Sequence, residues 1–241
     1  MDHTLLVALF GEDFAAIWNK ISEYTMVSPE RAYATYQACH YVSVNSIEGD
    51  FVECGVYRGG MGILAALTFA KFKQPRRIWL FDTYSGMVDP TDIDEDRTGV
   101  PAAKALAEDP TMCLATLDEV KRNIRLSGFS EDQFRFVQGD VSETLNNRNN
   151  IPNAISVLRL DTDWYESTKV ELETLYPVVN KFGIVLVDDY GHWVGARKAV
   201  DDFVDNAATP LFVARTDSTG VSFVKTGSHR SERSDRRFWR W

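Results

Sequence analysis

The chain predicts an α/β fold: a doubly wound, mostly parallel, seven-stranded sheet with an antiparallel C-terminal hairpin and an N-terminal helical cover. Three observations carry this expectation. Two apolar, β-rich runs, residues 154–164 (AISVLRLDTDW) and 183–192 (GIVLVDDYGH), each end in aspartates. Continuous apolar runs of this kind suit strands buried on both faces of a parallel sheet. From residue 50 onward, short strand-like runs alternate with helical patterns, the order expected of right-handed βαβ units. Finally, residues 211–226 (LFVARTDSTGVSFVKT) alternate around a turn containing Gly220, as a hairpin does.

Each element has its own local signal. Residues 13–24 carry Phe14, Ile17, Trp18 and Ile21 at helical spacing. Ser28, Pro29 and Glu30 then supply an N-cap, a first-turn proline and a first-turn acid for a helix running to about residue 45. Tyr33 and Tyr36 on it read as packing residues, and His40 as a partly buried histidine rather than a catalyst. Residues 50–55 (DFVECG) form the first strand and 77–81 (RIWLF) the second. Residues 134–137 (FRFV), 155–160 and 183–187 form the next three, with helices at 56–72, 114–127, 166–176 and 195–206. Residues 88–112 make a long polar insert, and loops of that length are commonly lids. Its acidic stretch, residues 92–96, reads as a solvated face. Asp201 and Asp202 on the last helix read the same way.

Bulk properties narrow the function. At 241 residues, with 44% apolar and 25% charged side chains, the chain suits one large globular unit. The expected organisation is a helical cover over 1–48, a sheet domain over 49–225 and an Arg-rich tail over 226–241. A formal charge of −9 argues against nucleic-acid binding, which needs cationic surface. No stretch approaches the roughly 20 apolar residues of a membrane span. The N-terminus lacks a basic leader, and the three cysteines, Cys39, Cys54 and Cys113, have no metal-ligand spacing. These features predict a soluble, reduced, cytoplasmic protein. The N-terminal helices and the hairpin offer surfaces for a homodimer or higher oligomer.

The chemistry concentrates where strands end. In an open parallel sheet, ligands collect beyond the carboxyl ends of the strands. Asp161 and Asp163 follow one strand there, and Asp188 and Asp189 follow another. Four crowded carboxylates repel unless protons or a cation offset them, so the cluster predicts a divalent-metal site. After the first strand stands the turn Glu53-Cys54-Gly55-Val56-Tyr57-Arg58-Gly59-Gly60. Its glycines permit close backbone approach to a ligand, although any tight turn into a helix can need glycine. The spacing is not that of the dinucleotide fingerprint, and an acid at the strand end suits an amine-bearing ligand better than a pyrophosphate. Asp82, after the second strand, stands where a ribose-binding acid would, or caps a turn. Asp140 follows the third strand on the same rim.

Taken together, DFVECGVYRGG, FDTYSGM, LRLDTDWYEST and VLVDDYGHWVGARKAVDDF resemble the TylF-type (macrocin O-methyltransferase) family of class I S-adenosylmethionine-dependent methyltransferases. The resemblance spans about residues 20–225 and leaves the Arg-rich tail outside. It implies a Rossmann-like methyltransferase domain that uses S-adenosyl-L-methionine and Mg²⁺ to methylate a hydroxyl, commonly on a sugar of a natural product or glycan. It further implies metal ligation by Asp161, Asp188 and Asp189, with Asp163 as general base. Implied cofactor contacts are Thr25 and Met26 in a closing segment, and Glu53, Gly55, Tyr57, Arg58, Gly59 and Gly60 in the glycine turn. Asp82 and Ser85 follow on the ribose side, Asp140 and Val141 on the adenine side, and Asp161 beside the metal. The insert occupies the variable lid, so the acceptor stays open among a macrolide-linked sugar, a glycan or an aromatic hydroxyl.

The chemistry fits the residue types. Methyl transfer from a sulfonium needs no acid for its leaving group, whereas a sugar hydroxyl is a poor nucleophile until it loses its proton. Asp163, two residues past a ligand, is placed to take that proton, with His192 as the rival base. Two other functions use the same residues: a metal-dependent phosphoester or sugar-phosphate hydrolase, and a non-catalytic binding protein on the same fold. The hydrolase leaves Glu53 and Asp82 without a role.

Overall fold

The computed structural model describes residues 2–227, and the predicted Arg-rich tail lies almost wholly outside them. Three helices lead the chain: α1 (His3–Phe10), α2 (Glu12–Ile21) and α3 (Pro29–Val44). Ser28 caps α3 by accepting the Arg31 amide at 3.2 Å, and Pro29 opens it. The alternating unit follows as β1 (Asp50–Cys54), α4 (Gly60–Lys71), β2 (Ile78–Asp82), α5 (Ala102–Glu108), α6 (Leu117–Leu126) and β3 (Phe134–Gln138). It continues as α7 (Val141–Thr144), β4 (Ile155–Leu160), α8 (Tyr165–Leu175), β5 (Val179–Val187) and α9 (Val194–Asn206). β6 (Ala214–Arg215) and β7 (Val221–Val224) close the chain.

One seven-stranded sheet has the order β3-β2-β1-β4-β5-β7-β6, parallel through β5 and antiparallel beyond it. Side-chain alternation splits the core into two layers. Phe51, Leu80, Val157 and Leu186 face α1 to α4, where Phe14, Ile21, Tyr36 and Ile63 are buried. Val52, Phe81, Leu158 and Val185 face the opposite layer with Leu172, Leu175 and Val200. Tyr33 and Tyr36 pack against Phe14, and the His40 ring stacks on Phe72 at 4.4 Å between centroids.

Several sequence expectations need correction. α1 was hidden in a short apolar run, and its N-cap, Asp2, accepts the Leu5 amide at 2.9 Å. β5 begins at Val179 rather than 183 and carries a register irregularity where it pairs with β4. The hairpin's first strand shrinks to Ala214–Arg215, leaving Phe212 85% exposed. The insert is folded, with α5 inside it and bridges from Glu95 to Pro101 and from Asp96 to Trp193. Its acidic stretch is not a simple solvated face, because Asp94 is buried. Among the described residues, no helix is long and apolar enough to cross a membrane.

Candidate active site

The strand order turns at β1 and β4, adjacent strands whose following loops lead to helices on opposite faces, the place where such sheets hold ligands. The two loops touch. A Cβ on Gly55 would lie 2.0 Å from the Asp161 carbonyl oxygen, and Gly55 has φ +83°, so this position requires glycine. Above the contact opens a cavity of about 630 Å³, within the range of small-molecule sites.

At the ends of β2 and β3, carboxylates are satisfied by the chain itself. Asp82 accepts the amides of Val56 (2.7 Å) and Tyr57 (3.1 Å) on one oxygen and that of Tyr84 (2.7 Å) on the other. Burial pushes its pKa up, and these amides pull against that shift. Asp140 accepts the Ser142 amide at 2.8 Å as the cap of α7. Thr25, Met26, Glu53, Gly55, Tyr57, Asp82, Asp140 and Val141 all line the cavity. Ser85 is exposed, and Arg58 turns toward α6, its Nε 3.0 Å from Glu119. Gly59 caps α4 in the left-handed region. Gly60 packs under the closing segment, where an added Cβ would sit 2.8 Å from the Thr25 Cβ.

Beyond β4 and β5, carboxylates meet one another. Asp161, Asp163 and Asp189 each present an oxygen within 4.8 Å of the others. Asp189 Oδ2 is buried without a hydrogen-bond partner. Burial raises the pKa values of Asp163 and Asp189, and the charge of neighbouring Asp161 raises both further. An all-oxygen, under-compensated donor set of this kind fits a hard divalent cation such as Mg²⁺. Asp188 turns to the other face of the sheet, where its Oδ2 accepts from Arg159 (2.5 Å) and Arg31 (3.2 Å). It still neighbours Asp161, which contributes to its raised pKa. His192 lines the same cavity, and burial followed by the nearby Arg97 charge lowers its pKa.

The residue that organises this corner escaped the sequence reading. Arg159 is 1% exposed near the carboxyl end of β4 and pairs with Glu53 (2.8 Å), Asp161 (2.9 Å) and Asp188. Glu53 is its register partner on β1, so the two side chains rise from the same face. Burial nonetheless lifts Glu53 to about 8, and its second oxygen has no partner. A signal existed: a charged residue inside the apolar run ISVLRL demands a buried partner. Arg31 offered none, because its partners Asp188 and Asp217 lie far along the chain.

This geometry has close counterparts. A family model described as macrocin-O-methyltransferase (TylF) matches residues 12–225. The 8-demethyl-8-(2,3-dimethoxy-alpha-L-rhamnosyl)-tetracenomycin-C 4'-O-methyltransferase of Streptomyces olivaceus is 31% identical over 225 residues, spanning 91% of this chain and 80% of the relative. The demethyldecarbamoylnovobiocin O-methyltransferase of Streptomyces niveus is 34% identical over 198 residues, spanning 80% of this chain and 70% of that protein. The solved O-methyltransferase NovP superposes with a TM-score of 0.78 at 27% identity, covering 94% of this chain and all of NovP.

Proposed function

Because the chain belongs to the macrocin-O-methyltransferase family, we propose that it is an S-adenosylmethionine-dependent, Mg²⁺-assisted methyltransferase acting on a sugar hydroxyl of a small-molecule glycoside. The observation that carries this reading is the corner of Asp161, Asp163 and Asp189, open to the cavity and short of positive charge.

S-adenosylmethionine supplies an electrophilic methyl carbon on a sulfonium. A divalent cation, when bound, supplies the charge that makes an acceptor hydroxyl more acidic. Asp161 and Asp189 would hold that cation, with Asp188 adjoining them through Asp161. Asp163 takes the acceptor's proton at its carboxylate, its raised pKa bringing it nearer the operating pH, where a general base is most effective. Glu53, with one oxygen unpartnered at the cavity floor, would receive the ammonium of the methyl donor. Burial among Met87, Val88 and Trp193 keeps water from competing with the hydroxyl.

The charge balance favours a neutral acceptor. The cavity's two cations, Arg31 and Arg159, are both committed to carboxylates. A phosphorylated substrate would find no uncommitted cationic side chain in this lining, so the hydrolase alternative would rest on the bound cation alone. The Streptomyces olivaceus relative is named for a rhamnosyl tetracenomycin, an acceptor class compatible with this balance.

The deciding experiment follows methyl transfer from S-adenosylmethionine to glycosides with Mg²⁺, with EDTA and in Asp163→Asn. Turnover should need the divalent ion, and Asp163→Asn should lower kcat by about 10²–10⁴-fold, the scale of general-base catalysis. Full activity in EDTA removes the metal from the reading. An unchanged kcat in Asp163→Asn transfers the base role to His192.

A further inference from the structure

Asp94 sits in the insert, yet it is only 1% exposed. One oxygen accepts the amide of Tyr165 at 2.8 Å; the other accepts the amide and hydroxyl of Thr91 at 2.8 and 2.9 Å. Tyr165 opens α8, whose own N-cap residue, Trp164, makes no side-chain capping bond. A carboxylate 71 residues earlier therefore caps this helix, where its charge also meets the positive end of the helix dipole.

The surrounding contacts extend the clamp. Trp164 donates its indole N–H to the Val88 carbonyl at 3.0 Å. Glu95 accepts the Val194 amide, and the Arg97 amide donates to the His192 carbonyl, both at 2.9 Å. A Cβ on Gly195 would lie 2.0 Å from Asp94 Oδ1, so α9 closes on this carboxylate with no room for a larger residue. Asp94 thus stands where three segments join: the insert, the loop carrying Asp163 and the loop carrying His192 and Trp193. Asp163 has φ +69° two residues before the capped amide, a conformation uncommon outside glycine that its surroundings must hold.

We infer that Asp94 is a positioning residue for the acceptor. By fixing the insert to the first turn of α8, it sets Met87, Val88 and Trp193 as one wall of the cavity and holds Asp163 in register with that wall. The inference rests on the function proposed above. It predicts a division of effects: the methyl donor, bound over β1 to β3, is untouched, while the acceptor loses its seat.

The test measures kcat and KM for aryl α-L-rhamnosides, together with S-adenosylmethionine affinity by calorimetry, in Asp94→Ala, Asp94→Asn and Gly195→Ala. Asp94→Ala should raise acceptor KM about tenfold or more and lower kcat, the scale on which small misplacements act, with donor affinity held within about twofold. Asp94→Asn, which keeps a carbonyl for the Tyr165 amide, should recover part of the loss. Gly195→Ala, which pushes on the carboxylate, should reproduce it. Thr91→Val removes only the hydroxyl contact and supplies the same readout, a smaller rise in acceptor KM, if Asp94→Ala fails to fold. Acceptor KM unchanged in these variants, or donor affinity falling in step with it, overturns the inference while wild-type turnover stands. Absence of glycoside methylation by the wild-type chain defeats the functional reading instead, and this inference with it.

Discussion

Asp82 and the corner of Asp161, Asp163 and Asp189 stand on one rim of one sheet, at or just past strand ends, and they handle buried charge in opposite ways. Asp82 is surrounded by the amides of its own and the neighbouring turn, which were in place once the chain folded. The corner has carboxylates facing carboxylates and one oxygen with no partner at all. Six acids, Glu53, Asp161, Asp163, Asp188, Asp189 and Asp217, share two arginines there. Asp82 and Asp140 are thus satisfied by the polypeptide itself, whereas the β4–β5 acids, joined by Glu53 of β1, reach neutrality only through protons or an added cation.

Removing the central cation should break the contrast most severely. Arg159→Met leaves Glu53, Asp161 and Asp188 facing one another and should cost about 3–5 kcal/mol, the usual result of breaking a buried pair from one side. Denaturant unfolding measures it. Arg159→Lys should restore only part of the loss, since one ammonium cannot match the guanidinium fork. A loss below about 1 kcal/mol would mean that the acids hold protons rather than rely on the arginine.

The next effect sharpens the comparison through pH. Burial lifts Glu53 from 4.5 to about 8, and Asp163 and Asp188 from 3.8 to about 7. The folded chain therefore holds protons that the unfolded chain has released, so stability should fall as pH rises through the window from 3.8 to about 8. The exposed acids with lowered pKa values, Asp96, Asp109 and Asp202, lose their contribution only at more acidic pH. Thermal unfolding in EDTA should show a declining Tm, and Mg²⁺ should raise Tm more at pH 8 than at pH 5. A rising Tm in EDTA would contradict the charge count.

Smaller effects belong to the β1–β3 half. Asp82→Asn keeps one acceptor oxygen for three amides and should cost about 1–3 kcal/mol, with weakened S-adenosylmethionine binding by calorimetry. Asp140→Ala removes the cap of a four-residue helix and should cost only about 0.5–2 kcal/mol, toward the lower end. A divalent-ion dependence of stability changed as much in either variant as in an Asp161 or Asp189 variant would erase the distinction between the halves.

Much of this arrangement was legible in the chain. Continuous apolar runs marked β1, β4 and β5, and Ser28-Pro29 marked the start of α3, because periodicity and capping are local properties. The acids at strand ends had to share one rim, since parallel strands point their carboxyl ends the same way. The insert was less legible: residues 92–96 look uniformly solvated, and nothing local distinguishes Asp94 from its neighbours. Its partner, Tyr165, became adjacent only when α8 docked.

Sequence alone determined the parallel strands, their order along the chain and the rim on which chemistry collects, since each follows from patterns a few residues long. Tertiary structure decided which acid meets which cation. Alternation sends Arg159 and Asp188 to one face of the sheet, register sets Arg159 against Glu53, and the packing of α3 brings Arg31 across to Asp188. Asp163 and Asp189 are left beside Asp161, which Arg159 already holds, with no arginine of their own. Those pairings span 29 to 157 residues of chain, and separations of that length leave no local trace in the order of the amino acids.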